Sequence, residues 1–152
     1  MANHLRTQIR DQIKTTLTGL TTTGSRVYDS RVYPLASDGT PAIIIYTKAE
    51  DSEPLDMGTN ATRIINRNLT IAVEVYVKAT ANFDNTIDTC CKEIETAIYT
   101  DPTLNGLAKD CYLESTEIDF NAEGEAPLAM ATLNFLTNYM NQATTPDSVS
   151  GT

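Results

Sequence analysis

Residues 67–77 read Arg67-Asn68-Leu69-Thr70-Ile71-Ala72-Val73-Glu74-Val75-Tyr76-Val77. Leu69, Ile71, Val73, Val75 and Val77 alternate without a break. A period of two puts all five on one face of a strand, with Thr70, Glu74 and Lys78 among the other positions. This is the clearest strand pattern in the chain, and it can begin as early as Arg63. One face of that strand must be covered, so the flanking sequence is read for what covers it.

Upstream, residues 49–61 hold four carboxylates, one Pro and one Gly without periodicity, which predicts a loop of about thirteen residues. Ala42-Ile43-Ile44-Ile45-Tyr46 is continuous and β-branched, the pattern of a strand buried on both faces. Ala36-Ser37-Asp38-Gly39 is a turn, and Val27-Tyr28 with Val32-Tyr33 form a short strand ending at Pro34. Before them, Leu5, Ile9, Ile13, Leu17 and Leu20 recur at helical spacing. Asn3 is placed to cap that helix, and Gly19 or Gly24 marks its end.

Downstream, Phe83, Ile87, Cys90/Cys91, Ile94 and Ile98 form a second helical stripe capped by Asp84 and ending near Thr100. Asp101-Pro102-Thr103-Leu104-Asn105-Gly106-Leu107 predicts one helical turn, with Asp101 as cap and Gly106 left-handed. Strands follow at about 111–120 and 127–139, joined by an acidic turn at 121–126. The order is α-β-β-β-α-β-β. It predicts an α+β fold, a mostly antiparallel mixed β-sheet with two main helices packed on one face. The domain is read as 1–140, with 141–152 a flexible C-terminal tail of small polar residues.

At 152 residues the chain can bury a sizeable core without disulfides or metal. Eleven basic residues oppose twenty acidic ones, for a net charge of -9, which argues against nucleic-acid binding. The excess is confined to residues 77–152, where three basic residues face twelve acidic ones. No run of eighteen apolar residues is present and residues 1–6 lack an apolar leader, so no membrane role and a cytoplasmic site of synthesis are expected. Cys90, Cys91 and Cys111 are read as buried thiols.

Catalytic patterns are weak. His4 is the single histidine and lies near the chain end. No phosphate-binding glycine motif occurs. The carboxylate groups Glu50/Asp51/Glu53/Asp56 and Glu117/Asp119/Glu123/Glu125 leave open a small acidic metal-dependent hydrolase. Their plain reading is a solvated sheet face, the sharper one an electrostatic surface that lines something, and the overall acidity also leaves room for an inhibitor that mimics DNA.

Four segments, in order and spacing, carry a resemblance. They are Arg6-Thr7-Gln8-Ile9-Arg10-Asp11 with Leu17-Thr18-Gly19-Leu20-Thr21-Thr22-Thr23-Gly24; Arg31-Val32-Tyr33-Pro34-Leu35; Asp101 to Leu107; and Glu114-Ser115-Thr116-Glu117-Ile118 with Gly124-Glu125-Ala126-Pro127. The chain resembles the tail terminator, or tail completion, proteins of long-tailed bacteriophages, the lambda-type minor tail proteins. Asn105 departs from the family's Asp-Pro-Thr-Leu-Gly-Gly-Leu, but Asn also tolerates the left-handed region.

The resemblance implies a non-enzymatic virion component assembled in the host bacterial cytoplasm, with no catalytic residue, metal or cofactor. Six copies would form a ring on the tail tube, stop its polymerisation and meet the head–tail connector (stopper) protein. Another head–tail joining ring protein of the neck is the near alternative. A hexamer would carry about six times the monomer's -9, so apolar burial must outweigh repulsion that acts over about 8–10 Å. An acidic lumen would let DNA pass without binding, and Glu114, Glu117, Asp119, Glu123 and Glu125 are its candidates. Glu50, Asp51, Glu53, Leu55, Asp56 and Met57, in the 49–61 loop, are candidates for docking on a neighbouring subunit or on the tube.

Overall fold

The computed structural model describes residues 3–29, 41–55, 63–78, 83–121 and 128–149. Its elements are α1 (Leu5–Leu17), β1 (Val27–Asp29), β2 (Ala42–Pro54), β3 (Ile64–Lys78), α2 (Phe83–Thr100), β4 (Asp110–Asn121) and β5 (Leu128–Gln142). This is the expected α+β order. The sheet runs β1-β2-β3-β5-β4; β1 lies parallel to β2, and every other pair is antiparallel. Strand β3 is central. Val73 sits opposite Ile45 on one side and Leu133 on the other.

The odd-numbered apolar residues of β3 face the helices. They meet Ile43 and Ile45 of β2, Ala131, Leu133 and Phe135 of β5, Leu5, Ile9, Ile13 and Leu17 of α1, and Ile87, Cys90, Ile94 and Ile98 of α2 in one core. Each fully buried Leu or Ile contributes about 1.5–3 kcal/mol relative to an exposed one. Ala42 to Ile45 are buried as the unbroken apolar run predicted.

Several boundaries differ from the sequence reading. His4, not Asn3, caps α1: its Nδ1 accepts the Arg6 N–H at 3.1 Å. The helix ends at Leu17, and Gly19 follows with φ +95°, a conformation open to glycine. Helix α2 starts at Phe83, which places Asp84 in its first turn rather than at its cap. Residues 102–107 form linked turns rather than a helical turn. Leu104, Asn105 and Gly106 have φ of 52°, 60° and 84°, which a right-handed helix excludes. Asp101 still acts as the cap: its carboxylate accepts the N–H and Oγ1–H of Thr103 and the N–H of Asn105.

The largest correction concerns residues 49–61. Residues 49–54 are strand, paired through Pro54↔Ile65. A bulge between Thr47 and Ala49 hides this continuation, because the extra residue Lys48 inverts the side-chain alternation. Backbone pairing with β3 holds the segment in register whatever its charge. Strand β5 likewise runs past residue 140, to Gln142. The chain beyond it donates from Ala143 N–H to the Arg63 carbonyl, and its Pro146 carbonyl accepts the Leu5 N–H. The expected end of the first strand (Val32, Tyr33), the 36–39 turn, residues 122–126 of the acidic turn and residues 56–61 lie outside the described residues, while Asn121 ends β4.

Candidate assembly surfaces

The bulge at Lys48 turns Glu50 onto the helix-bearing face, between β3 and the start of α1. Its side chain is 10% exposed and accepts hydrogen bonds from Arg6 Nη1 at 2.6 Å, Arg67 Nη1 at 3.0 Å and the Tyr139 hydroxyl. Arg67 Nε donates to Asn141 Oδ1 at 2.8 Å, and its guanidinium lies 6.0 Å from the Tyr139 ring centroid. Burial pushes the Glu50 carboxyl up, but hydrogen bonds from Tyr139 and Arg67, with the charge and hydrogen bond of Arg6, outweigh it and hold the group below the usual carboxylate range. Burial, then the charges of Arg6 and Arg67, lowers the pKa of nearby His4. Glu50, one of the candidate docking residues, is therefore a structural anchor tying α1, β2, β3 and β5 together.

The remaining candidates of that group divide. Asp51 and Glu53 are exposed near the outer end of the β2–β3 ladder, and Leu55 is 52% exposed just past it. Asp56 and Met57 lie outside the described residues. The ladder thus places Leu55 at the end of the sheet, where β3 is still flanked by β5.

The acidic candidates lie on β4, an edge strand of the sheet. Glu117 and Asp119 sit opposite Thr132 and Met130 on the face away from the helices. Glu114 is the extra residue of a second bulge, between Leu113 and Ser115. All three are exposed. Glu123 and Glu125 lie outside the described residues. Between the two bulges a shallow hollow of about 350 Å³ is lined by Lys48, Thr70, Glu114, Ser115, Glu117 and Asn134, among others. Lys48 Nζ reaches Asn134 Oδ1 at 3.5 Å, and Asn134 Nδ2 donates to Ser115 Oγ at 3.0 Å.

The helix-free face is polar elsewhere too. Glu74 accepts hydroxyl hydrogen bonds from Tyr46 at 2.9 Å and Tyr76 at 2.7 Å, and burial with that carboxylate pushes Tyr46 up to about 12. Asn138 Nδ2 bridges Asn66 Oδ1, Asn68 Oδ1 and the Arg67 carbonyl. Side-chain amides and phenols present on such a face offer hydrogen bonds and little cationic charge. Sequence reasoning missed these groups because each one is assembled across strands.

Cys90, Cys91 and Cys111 are free and buried. Burial raises their thiols to about 12, 11 and 11 respectively, so they are protonated packing groups at neutral pH. Among the described residues, no group of three or more His, Cys, Asp or Glu side chains is arranged to hold a metal ion, and no helix is long and apolar enough to cross a membrane.

Comparison with known proteins gives one family. The family model described as phage minor tail protein U matches residues 4–139, from the cap of α1 into β5. No curated protein matches in sequence. Among solved structures, one titled "Virion of native gene transfer agent (GTA) particle" aligns over 91% of this chain and 92% of that chain, at 14% identity and a TM-score of 0.38.

Proposed function

We propose that this chain, which belongs to the phage minor tail protein U family, caps the tail tube as a ring, ends its polymerisation and provides the joint to the head–tail connector. Family membership over residues 4–139 is the observation that carries the reading, because it makes the whole folded unit a tail component of the virion. The role is structural rather than enzymatic. A ring of six copies is the assembly proposed, with the tube protein on one face and the connector protein on the other.

Two surfaces support this role. The helix-free face of β4, with Glu114, Glu117 and Asp119, supplies carboxylates for a lumen, and Glu123 and Glu125 follow in the adjoining segment. Carboxylates repel phosphates, so DNA would pass such a wall without binding. At the end of the β2–β3 ladder, exposed Leu55 supplies an apolar contact for the neighbouring ring or tube, near Asp51 and Glu53.

The test is tail length. Phage particles assembled without this protein should carry tails that overrun their normal length or fail to join heads, as seen by electron microscopy. Addition of the purified protein should restore a uniform length. Tails of normal length, joined to heads, in its absence would refute the proposal.

A further inference from the structure

The outward flanks of the two helices carry opposite charge. On α1, Leu5, Ile9, Ile13 and Leu17 form the buried stripe, and Arg6, Arg10 and Lys14 form the ridge beside it at spacings of four. Lys14 Nζ reaches Asp29 of β1 at 3.5 Å and Arg6 reaches Glu50 of β2, so this ridge lies on the β1 side of the helix. Arg10 stands between them, half-buried, and its Nε is buried without a hydrogen-bond partner among the described residues.

On α2, Glu93 accepts the N–H and Oγ1–H of Thr22 and so turns its flank toward the end of α1. The opposite flank carries Asp84, Asp88, Glu95 and Tyr99. The Tyr99 hydroxyl accepts the Leu113 N–H at 2.8 Å, so this flank faces β4. Past Leu113 the edge strand runs out from under the helix. Ile118 and Phe120 sit opposite the core residues Ala131 and Ala129, hence on the helix-bearing face, yet they are 58% and 44% exposed. The outcome is an open groove with an apolar floor and a carboxylate wall.

The groove and the ridge lie at opposite ends of the sheet, since β1 and β4 are its two edges among the described residues. The ridge presents Arg10 and Lys14, the latter 3.5 Å from Asp29, whereas the groove presents the carboxylates Asp84, Asp88 and Glu95. Groove against groove would set acid against acid. Groove against ridge joins opposite charges, and it does so head to tail, the contact type that closes into rings.

We infer that the groove formed by Asp84, Asp88, Glu95, Ile118 and Phe120 receives the Arg10–Lys14 ridge of α1 from a second copy of this chain. This deepens the ring reading and rests on it. The seam lies in the helix layer, which leaves Glu117 and Asp119, on the other face, free to line a lumen.

The experiment uses two charge-reversed full-length variants, Asp88→Lys with Glu95→Lys, and Arg10→Glu with Lys14→Glu. Association is measured by sedimentation and by negative-stain imaging, alone and on tail-tube ends, with circular dichroism confirming the fold. Each variant alone should associate at least ten-fold more weakly than the unaltered chain. An equimolar mixture should recover rings, because each variant's reversed surface meets the other's opposite charge. A third variant, Ile118→Lys, should weaken association without touching the helix charges, and it serves if a reversed variant fails to fold. Variants that each form rings as readily as the unaltered chain, or a mixture that stays dissociated, would overturn the groove while leaving the ring intact. An unaltered chain that forms no ring in solution or on tube ends would overturn both.

Discussion

Replacing Glu50 with alanine removes the acceptor shared by Arg6, Arg67 and Tyr139. Arg67 is 15% exposed and Tyr139 fully buried, so both lose their partner where water reaches poorly. Breaking a buried ion pair from one side costs about 3–5 kcal/mol. Arg6 is 40% exposed, so its share is screened by solvent, and the lower end, about 3 kcal/mol, is the expected loss. In a domain of this length that corresponds to a fall in Tm of roughly 6–12 °C. Urea denaturation at pH 7, with and without the substitution, measures it.

The pH dependence has a definite sign. The folded pKa of Glu50 is depressed, so its stabilisation is fully present above the unfolded carboxylate value of about 4.3. It is lost as the pH falls through the folded value. The gap between the two proteins should therefore be constant from about pH 7 down to about pH 5 and shrink below that. A loss under about 1 kcal/mol at pH 7, or a gap that widens on acidification, would refute the anchoring role of Glu50.

Asn105→Gly should raise Tm, by up to about 1 kcal/mol of stability, since φ of 60° costs a side-chain-bearing residue and glycine nothing; differential scanning calorimetry reads the shift. The three thiols should resist iodoacetamide at about pH 8 in the native protein and all react in denaturant, as burial predicts; mass spectrometry counts the adducts. Leu55→Asp should leave Tm unchanged and abolish tail capping, scored by tail length in micrographs. Glu117→Lys with Asp119→Lys should leave assembly intact but confer salt-sensitive binding to duplex DNA, measured by fluorescence anisotropy.

Much of the candidate site was legible as composition and little of it as geometry. The acidity of residues 77–152 is plain in the sequence. That the Asp84, Asp88 and Glu95 flank of α2 turns toward β4, and that Ile118 rather than Glu117 and Asp119 takes the helix-bearing face, required the tertiary structure. The bulge at Glu114 sets the register of β4, and no alternation within the strand announces it.

The elements and their order were set by local pattern: a period of two in residues 69–77, and stripes at helical spacing in α1 and α2. Periodicity is carried by neighbours in sequence, so it can be read from sequence alone. Residues 49–54 show where that ends. Their charge and proline read as loop, yet β3 pairs with them along the whole segment. Glu50 finds its partners 17, 44 and 89 residues away, in Arg67, Arg6 and Tyr139. Contacts across such separations depend on strand order and on one inserted residue at Lys48, which only the tertiary structure decides.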